Sequence, residues 1–83
     1  MITIFSKDYC PYCSAAKGFL ESMDIPYKLV NVENDREKIM EIVQISGMMT
    51  VPQIFDGEIT KENLIGGYDE MMKKYQAGEI FQK

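Results

Sequence analysis

The first residues of the chain, Ile2-Thr3-Ile4-Phe5, alternate weakly and are rich in β-formers, which predicts a buried strand. A polar turn follows at Ser6-Lys7-Asp8-Tyr9. From Cys10 the period changes. Ala15, Ala16, Phe19, Leu20 and Met23 fall at helical spacing. Pro11 suits the first helical position, where its missing N–H would have no partner in any case. This helix is expected to end near Met23, ahead of Asp24-Ile25-Pro26.

Tyr27 to Val32 carries β-branched and aromatic residues and reads as a second strand. Asn34-Asp35 can cap a second helix, with Ile39, Ile42, Val43 and Ser46 on one stripe and Gly47 as its stop. Val51 to Phe55 is the third strand, with Pro52 near its start, where proline is tolerated. After the Asp56-Gly57 turn a fourth strand is expected within Thr60 to Ile65. Gly66-Gly67 breaks the pattern, and Asp69 to Gln76 forms the last helix, with Met71, Met72 and Tyr75 on its apolar side. The order is β-α-β-α-β-β-α. Helical crossovers imply a parallel pair, and the two late strands imply an antiparallel hairpin. The expectation is one α/β domain over residues 1–83, a small mixed sheet of four strands flanked by three helices.

Composition narrows the function classes. With 46% hydrophobic and 27% charged residues the chain is ordinary for a folded domain. A net charge of −4 makes nucleic acid a poor partner, because phosphate binding wants a basic face. No run of roughly 18 apolar residues is present to span a membrane. The N-terminus reads as a strand instead of a signal peptide, so the expected location is the cytoplasm. The absence of histidine removes Cys–His and Ser–His nucleophile pairs. A zinc site would need two carboxylates beside the two cysteines, an unusual set for structural zinc. No metal and no tightly bound cofactor are expected.

The chemistry concentrates in Cys10-Pro11-Tyr12-Cys13, which follows a strand and opens a helix. That context is the one a Cys-x-x-Cys redox motif requires. Helix-start N–H groups and the helix dipole favour thiolate over thiol, and thiolate is the attacking species. Lys7 and Lys17 are candidates to add to this effect. Cys10 is expected to be the more exposed and acidic thiol, and Cys13 the more buried. A purely stabilising disulfide is the plainer alternative, but so short a loop gains only about 2 kcal/mol. Two ordinary buried thiols would leave Pro11 without meaning, and two thiolates cannot alone complete a four-thiolate cluster.

Three segments then carry a family resemblance that covers nearly the whole chain. Cys10-Pro11-Tyr12-Cys13 resembles the signature of dithiol glutaredoxins. Thr50-Val51-Pro52-Gln53-Ile54-Phe55 resembles their cis-proline segment, and Ile65-Gly66-Gly67-Tyr68-Asp69 their glycine-pair motif. The resemblance implies the thioredoxin fold and glutathione-dependent reduction of protein disulfides and glutathione mixed disulfides. It implies Cys10 as nucleophile, Cys13 as resolving residue and glutathione as co-substrate. A cis Val51–Pro52 bond would let a peptide pair with Val51 like an added strand. Gly67, Tyr68 and Asp69 would receive the γ-glutamyl end of glutathione, with carboxylate at a helix start, and Thr50 and Pro52 would contact the ligand beside Val51. Lys7 matches a lysine that the family places near the glycine carboxylate, and Tyr12 would lie beside the ligand.

Three positions depart from the family pattern. Glu70 stands where relatives often have Asp. Ile39 replaces an Arg or Gln that many relatives direct to the glycine carboxylate; Lys38 and Arg36 are the nearby cations. Asp56 to Asn63 is long and reads as an extended hairpin. The expected partners are glutathione and disulfide-containing or glutathionylated proteins, ribonucleotide reductase among the family's possibilities, with the chain a monomer. Two rival readings share the motif: a glutathione-ligated iron–sulfur carrier, and a thioredoxin-like reductant served by an NADPH-dependent reductase.

Overall fold

In the computed structural model, which describes residues 1–82, strand β1 (Ile2–Ser6) runs through the middle of a four-stranded sheet. The sheet order is β2-β1-β3-β4. Helix α1 (Pro11–Ser22) carries the chain over to β2 (Tyr27–Asn31), which pairs parallel with β1 from Ile2↔Tyr27 to Ser6↔Asn31. Helix α2 (Arg36–Ser46) leads to β3 (Gln53–Asp56), which lies antiparallel on the other side of β1. Strand β4 (Leu64–Gly66) and helix α3 (Tyr68–Gln76) complete the order predicted from the sequence.

Strand alternation divides the core in two. Ile4 and Ile54 point to one face and pack with Ala16 and Leu20 of α1 and Met71 of α3. Phe5 and Phe55 point to the other face and pack with Val32 and with Ile42 of α2. The two phenyl rings meet edge to face at 5.7 Å. The sheet is therefore sandwiched, with α1 and α3 on one side and α2 on the other. Its buried central strand places the C-terminal end of β1, and the loop after it, at one rim of the molecule.

The helix ends follow the local chemistry. Asp35 accepts the Lys38 N–H at 3.0 Å and starts α2. Gly47 ends it at φ +75°, in the left-handed region that glycine enters without penalty. The peptide bond between Val51 and Pro52 is cis.

The region after β3 corrects the sequence reading. Asp56–Asn63 is no extended hairpin, and the fourth strand, expected within Thr60 to Ile65, is the short Leu64–Gly66 at the end of that window and one residue beyond it. The β3–β4 ladder pairs only Ile54↔Gly66 and Phe55↔Leu64, with a register shift between them. Gly57 turns away and donates its N–H to Met1 O at 3.0 Å. Asn63 Nδ2 then donates to Glu58 O at 3.0 Å, and Lys61–Asn63 forms a 3-10 turn. The polar stretch thus bonds to Met1 and to itself instead of extending the ladder. The third strand likewise starts at Gln53, two residues later than the β-branched pattern suggests.

Candidate active site

Cys10 and Cys13 lie at the rim where β1 ends and α1 begins. Cys10 is the N-cap of α1, with extended φ −144° and ψ 92°, and Pro11 takes the first helical position. The cap is made by sulfur: Cys10 Sγ accepts the Cys13 N–H at 3.1 Å. Ser14 N–H donates to Cys10 O at 3.1 Å, which begins the helical ladder. The two cysteines form a disulfide with their Cα atoms 5.1 Å apart. Cys13 is only 5% exposed, whereas Cys10 is half-buried at the surface. The geometry matches a reversible pair in which the outer sulfur meets a partner first.

The loop into Cys10 is braced by β2. Asn31 Nδ2 donates to Asp8 Oδ1 at 2.7 Å, and Asp8 N–H donates to Glu33 Oε1 at 3.2 Å. Glu33 N–H in turn donates to Asn31 Oδ1 at 2.8 Å. The brace leaves Tyr9 fully in solvent, 99% exposed, beside the disulfide.

A groove of about 250 Å³ opens on one side of this rim. Its walls are Tyr12, Met48, Thr50, Val51, Pro52, Gly67, Tyr68, Asp69 and Glu70. The rings of Tyr12 and Tyr68 stand 6.0 Å apart. Glu70 reaches back and accepts the Gly67 N–H at 2.8 Å, so it caps α3. Asp69 is thereby released from the capping role that its position suggested, and its carboxylate lines the groove in the open. The first bond within α3 runs from Met71 N–H to Gly67 O at 3.0 Å. The N–H groups of Tyr68 and Asp69 lie ahead of it, where a helix has no acceptors of its own. Among these lining residues the charges are Asp69 and Glu70, both acidic.

A second cavity, of about 280 Å³, opens at the disulfide itself. Cys10 and Cys13 line it together with Ser6, Lys7, Ser14 and Lys17. The structure therefore gathers Tyr12, Thr50, Val51, Pro52, Gly67, Tyr68 and Asp69 around one groove and places Lys7 with the cysteines in the other space. Ile39 packs against the Phe5–Phe55 core and lines a third depression with Arg36 and Met40.

Two groove residues escaped the sequence reading as contacts. Met48 had no signal, because a methionine after a helix stop looks like any core filler. Glu70 did carry one: an acid three residues after Gly67 has capping-box spacing, although a glycine cap supplies only half of the box.

With this geometry in place, the comparisons agree among themselves. The glutaredoxin family model matches residues 2–60. A glutaredoxin of Ricinus communis is 34% identical over 82 residues, covering 95% of this chain and 76% of its own. Glutaredoxin 3 of Escherichia coli (strain K12) is 36% identical over 70 residues, covering 84% of this chain and 80% of its own. Among solved structures, a buckwheat glutaredoxin–glutathione complex superposes with a TM-score of 0.80 at 28% identity, covering 95% of this chain and 71% of that one.

Proposed function

Because the chain belongs to the glutaredoxin family and is a thiol–disulfide oxidoreductase, we propose that glutathione is its electron donor and that it reduces protein disulfides and glutathione mixed disulfides. The carrying observation is the groove in which Tyr12, the residue between Pro11 and Cys13, faces Val51, Pro52, Gly67 and Asp69. An extended peptide can run along Val51 there, and the free N–H groups of Tyr68 and Asp69 suit a carboxylate at its end. Asp69 suits an ammonium beside that carboxylate. Tyr12 and Thr50 close the groove around the chain of the ligand. The buckwheat relative, solved as a glutathione complex, supports the same ligand for this groove.

The reaction is a series of thiol–disulfide exchanges. Cys10 thiolate attacks the glutathione sulfur of a mixed disulfide, and the substrate leaves as a thiolate that takes a proton. A second glutathione thiolate attacks the glutathione sulfur bound to Cys10, releasing oxidised glutathione and restoring the Cys10 thiolate. With a protein disulfide, Cys10 forms the mixed disulfide and Cys13 attacks it. The Cys10–Cys13 disulfide results, and two glutathiones reduce it. Potentials of this class, about −200 to −230 mV against about −270 mV for thioredoxin, correspond to roughly 2–3 kcal/mol and favour the glutathione pool as reductant. We further propose a reducing, cytoplasmic setting, where a glutathione pool is present to supply electrons, with the chain acting as a monomer.

The deciding experiment pairs the protein with glutathione and glutathione reductase in one assay and with thioredoxin reductase in another. NADPH oxidation in the first assay alone is the expected result. Turnover only with thioredoxin reductase would overturn the proposal.

A further inference from the structure

We propose that Gln53 is a positioning residue for the glutathione groove, acting through the main chain of Met48; the inference rests on the reading of that groove given above. Gln53 sits on β3, paired with Phe5 of the central strand, and is 1% exposed. Its Nε2 donates to Met48 O at 2.8 Å, reaching back across the segment that forms one wall of the groove. Its Oε1 is buried and has no hydrogen-bond partner among the described residues. An orphaned buried oxygen opposes stability, and an apolar side chain of the same length would fill the space without it. Packing alone does not account for a glutamine here. Its distinctive contribution is the bond to Met48.

That bond has a counterpart. The buried hydroxyl of Ser46 accepts the Met48 N–H at 3.0 Å. Met48 is thus gripped at its N–H and at its carbonyl by two buried side chains, while its own side chain lines the groove. Its terminal methyl lies 3.8 Å from where a Cβ on Gly67 would stand, so it faces the opposite wall. Thr50, Val51 and Pro52 follow within the same stapled segment. Fixing Met48 to the rigid sheet holds this wall in shape before a peptide arrives, and a preformed wall lowers the ordering cost of binding.

The test uses Gln53→Met, which removes the donor and the orphaned oxygen together and keeps the length. Steady-state kinetics with a glutathionylated peptide should show KM raised roughly threefold to tenfold, the loss that one net hydrogen bond carries, with kcat little changed. Alkylation of reduced Cys10 by iodoacetamide, a reagent too small to need the groove, should be unchanged. Ser46→Ala removes the other grip on Met48 and should raise KM in the same direction, which keeps the test open if Gln53→Met folds poorly. An unchanged KM in the folded variants, with normal wild-type turnover, overturns this inference alone. A parallel fall in alkylation and turnover also overturns it, because the effect then runs through the cysteine. A wild-type protein that does not turn over with glutathione overturns the underlying reading.

Discussion

The backbone N–H of Cys13 donates to the sulfur of Cys10 at 3.1 Å. The same sulfur caps α1, so the main chain of the helix it starts stabilises a negative charge on it. Iodoacetamide alkylation of the reduced protein should therefore reach half its maximal rate below about pH 8.5, the ordinary thiol value. The midpoint should stay in place in Cys13→Ser, because that change keeps the N–H. A midpoint at the ordinary value would show that the cap is lost when the disulfide opens. Cys10→Ser should abolish turnover with every disulfide substrate.

Burial separates the two sulfurs, with Cys13 at 5% exposure behind the half-buried Cys10. Cys13→Ser should retain turnover of a glutathionylated peptide, which needs only Cys10 and free glutathione. Reduction of a protein disulfide should fall by tenfold or more, a rise of at least about 1.4 kcal/mol in the barrier. Both activities are measured in the glutathione reductase assay, and equal losses would contradict the division of labour.

The glycine pair makes two different predictions. Gly66 sits at φ +122°, and a Cβ there would stand 2.7 Å from Glu70 Cβ. Gly66→Ala should cost at least about 2 kcal/mol from backbone strain and this contact. In a domain of this size that loss lowers the melting midpoint by roughly 8–16 °C. Gly67 has an ordinary φ of −90°, and its Cβ would meet the movable end of Glu70 at 3.1 Å. Gly67→Ala should melt close to the wild type but raise KM for glutathionylated peptide, since the added methyl projects into the groove. Thermal melts and steady-state kinetics on the two variants separate these effects.

What the sequence disclosed was what is local. The strand-to-helix step at Cys10, the Pro11 start, the Asp35 cap and the Gly47 stop each depend on a few neighbouring residues, and each stands where the pattern put it. The alternation of Ile4 with Phe5 and of Ile54 with Phe55 likewise marks the two faces of the sheet. Contacts that depend on distant segments were not legible. Nothing in Gln53 announces that its amide reaches Met48, and nothing in Asp56–Asn63 distinguishes a self-satisfied loop from a longer hairpin. The sheet register decides both, and no periodicity encodes that register at single-residue precision.

Lys7 is the position where the family resemblance and the structure lead to different experiments. The resemblance puts this lysine at the glycine end of glutathione, where its loss would raise KM. In the structure it shares a cavity with Cys10, Cys13, Asp8 and Lys17 and is absent from the lining of the groove. Lys7 is exposed, so its charge acts on Cys10 through a screened field. Lys7→Ala should therefore slow alkylation of Cys10 at neutral pH by about twofold to fivefold, the range of a surface charge interaction, and leave KM for glutathionylated peptide nearly unchanged. Added salt should shrink the difference between variant and wild type, because screening weakens only an electrostatic contribution. A raised KM with unchanged alkylation would instead place Lys7 on the ligand, and the glycine end of glutathione would then have to cross from the groove to the cavity around Cys10.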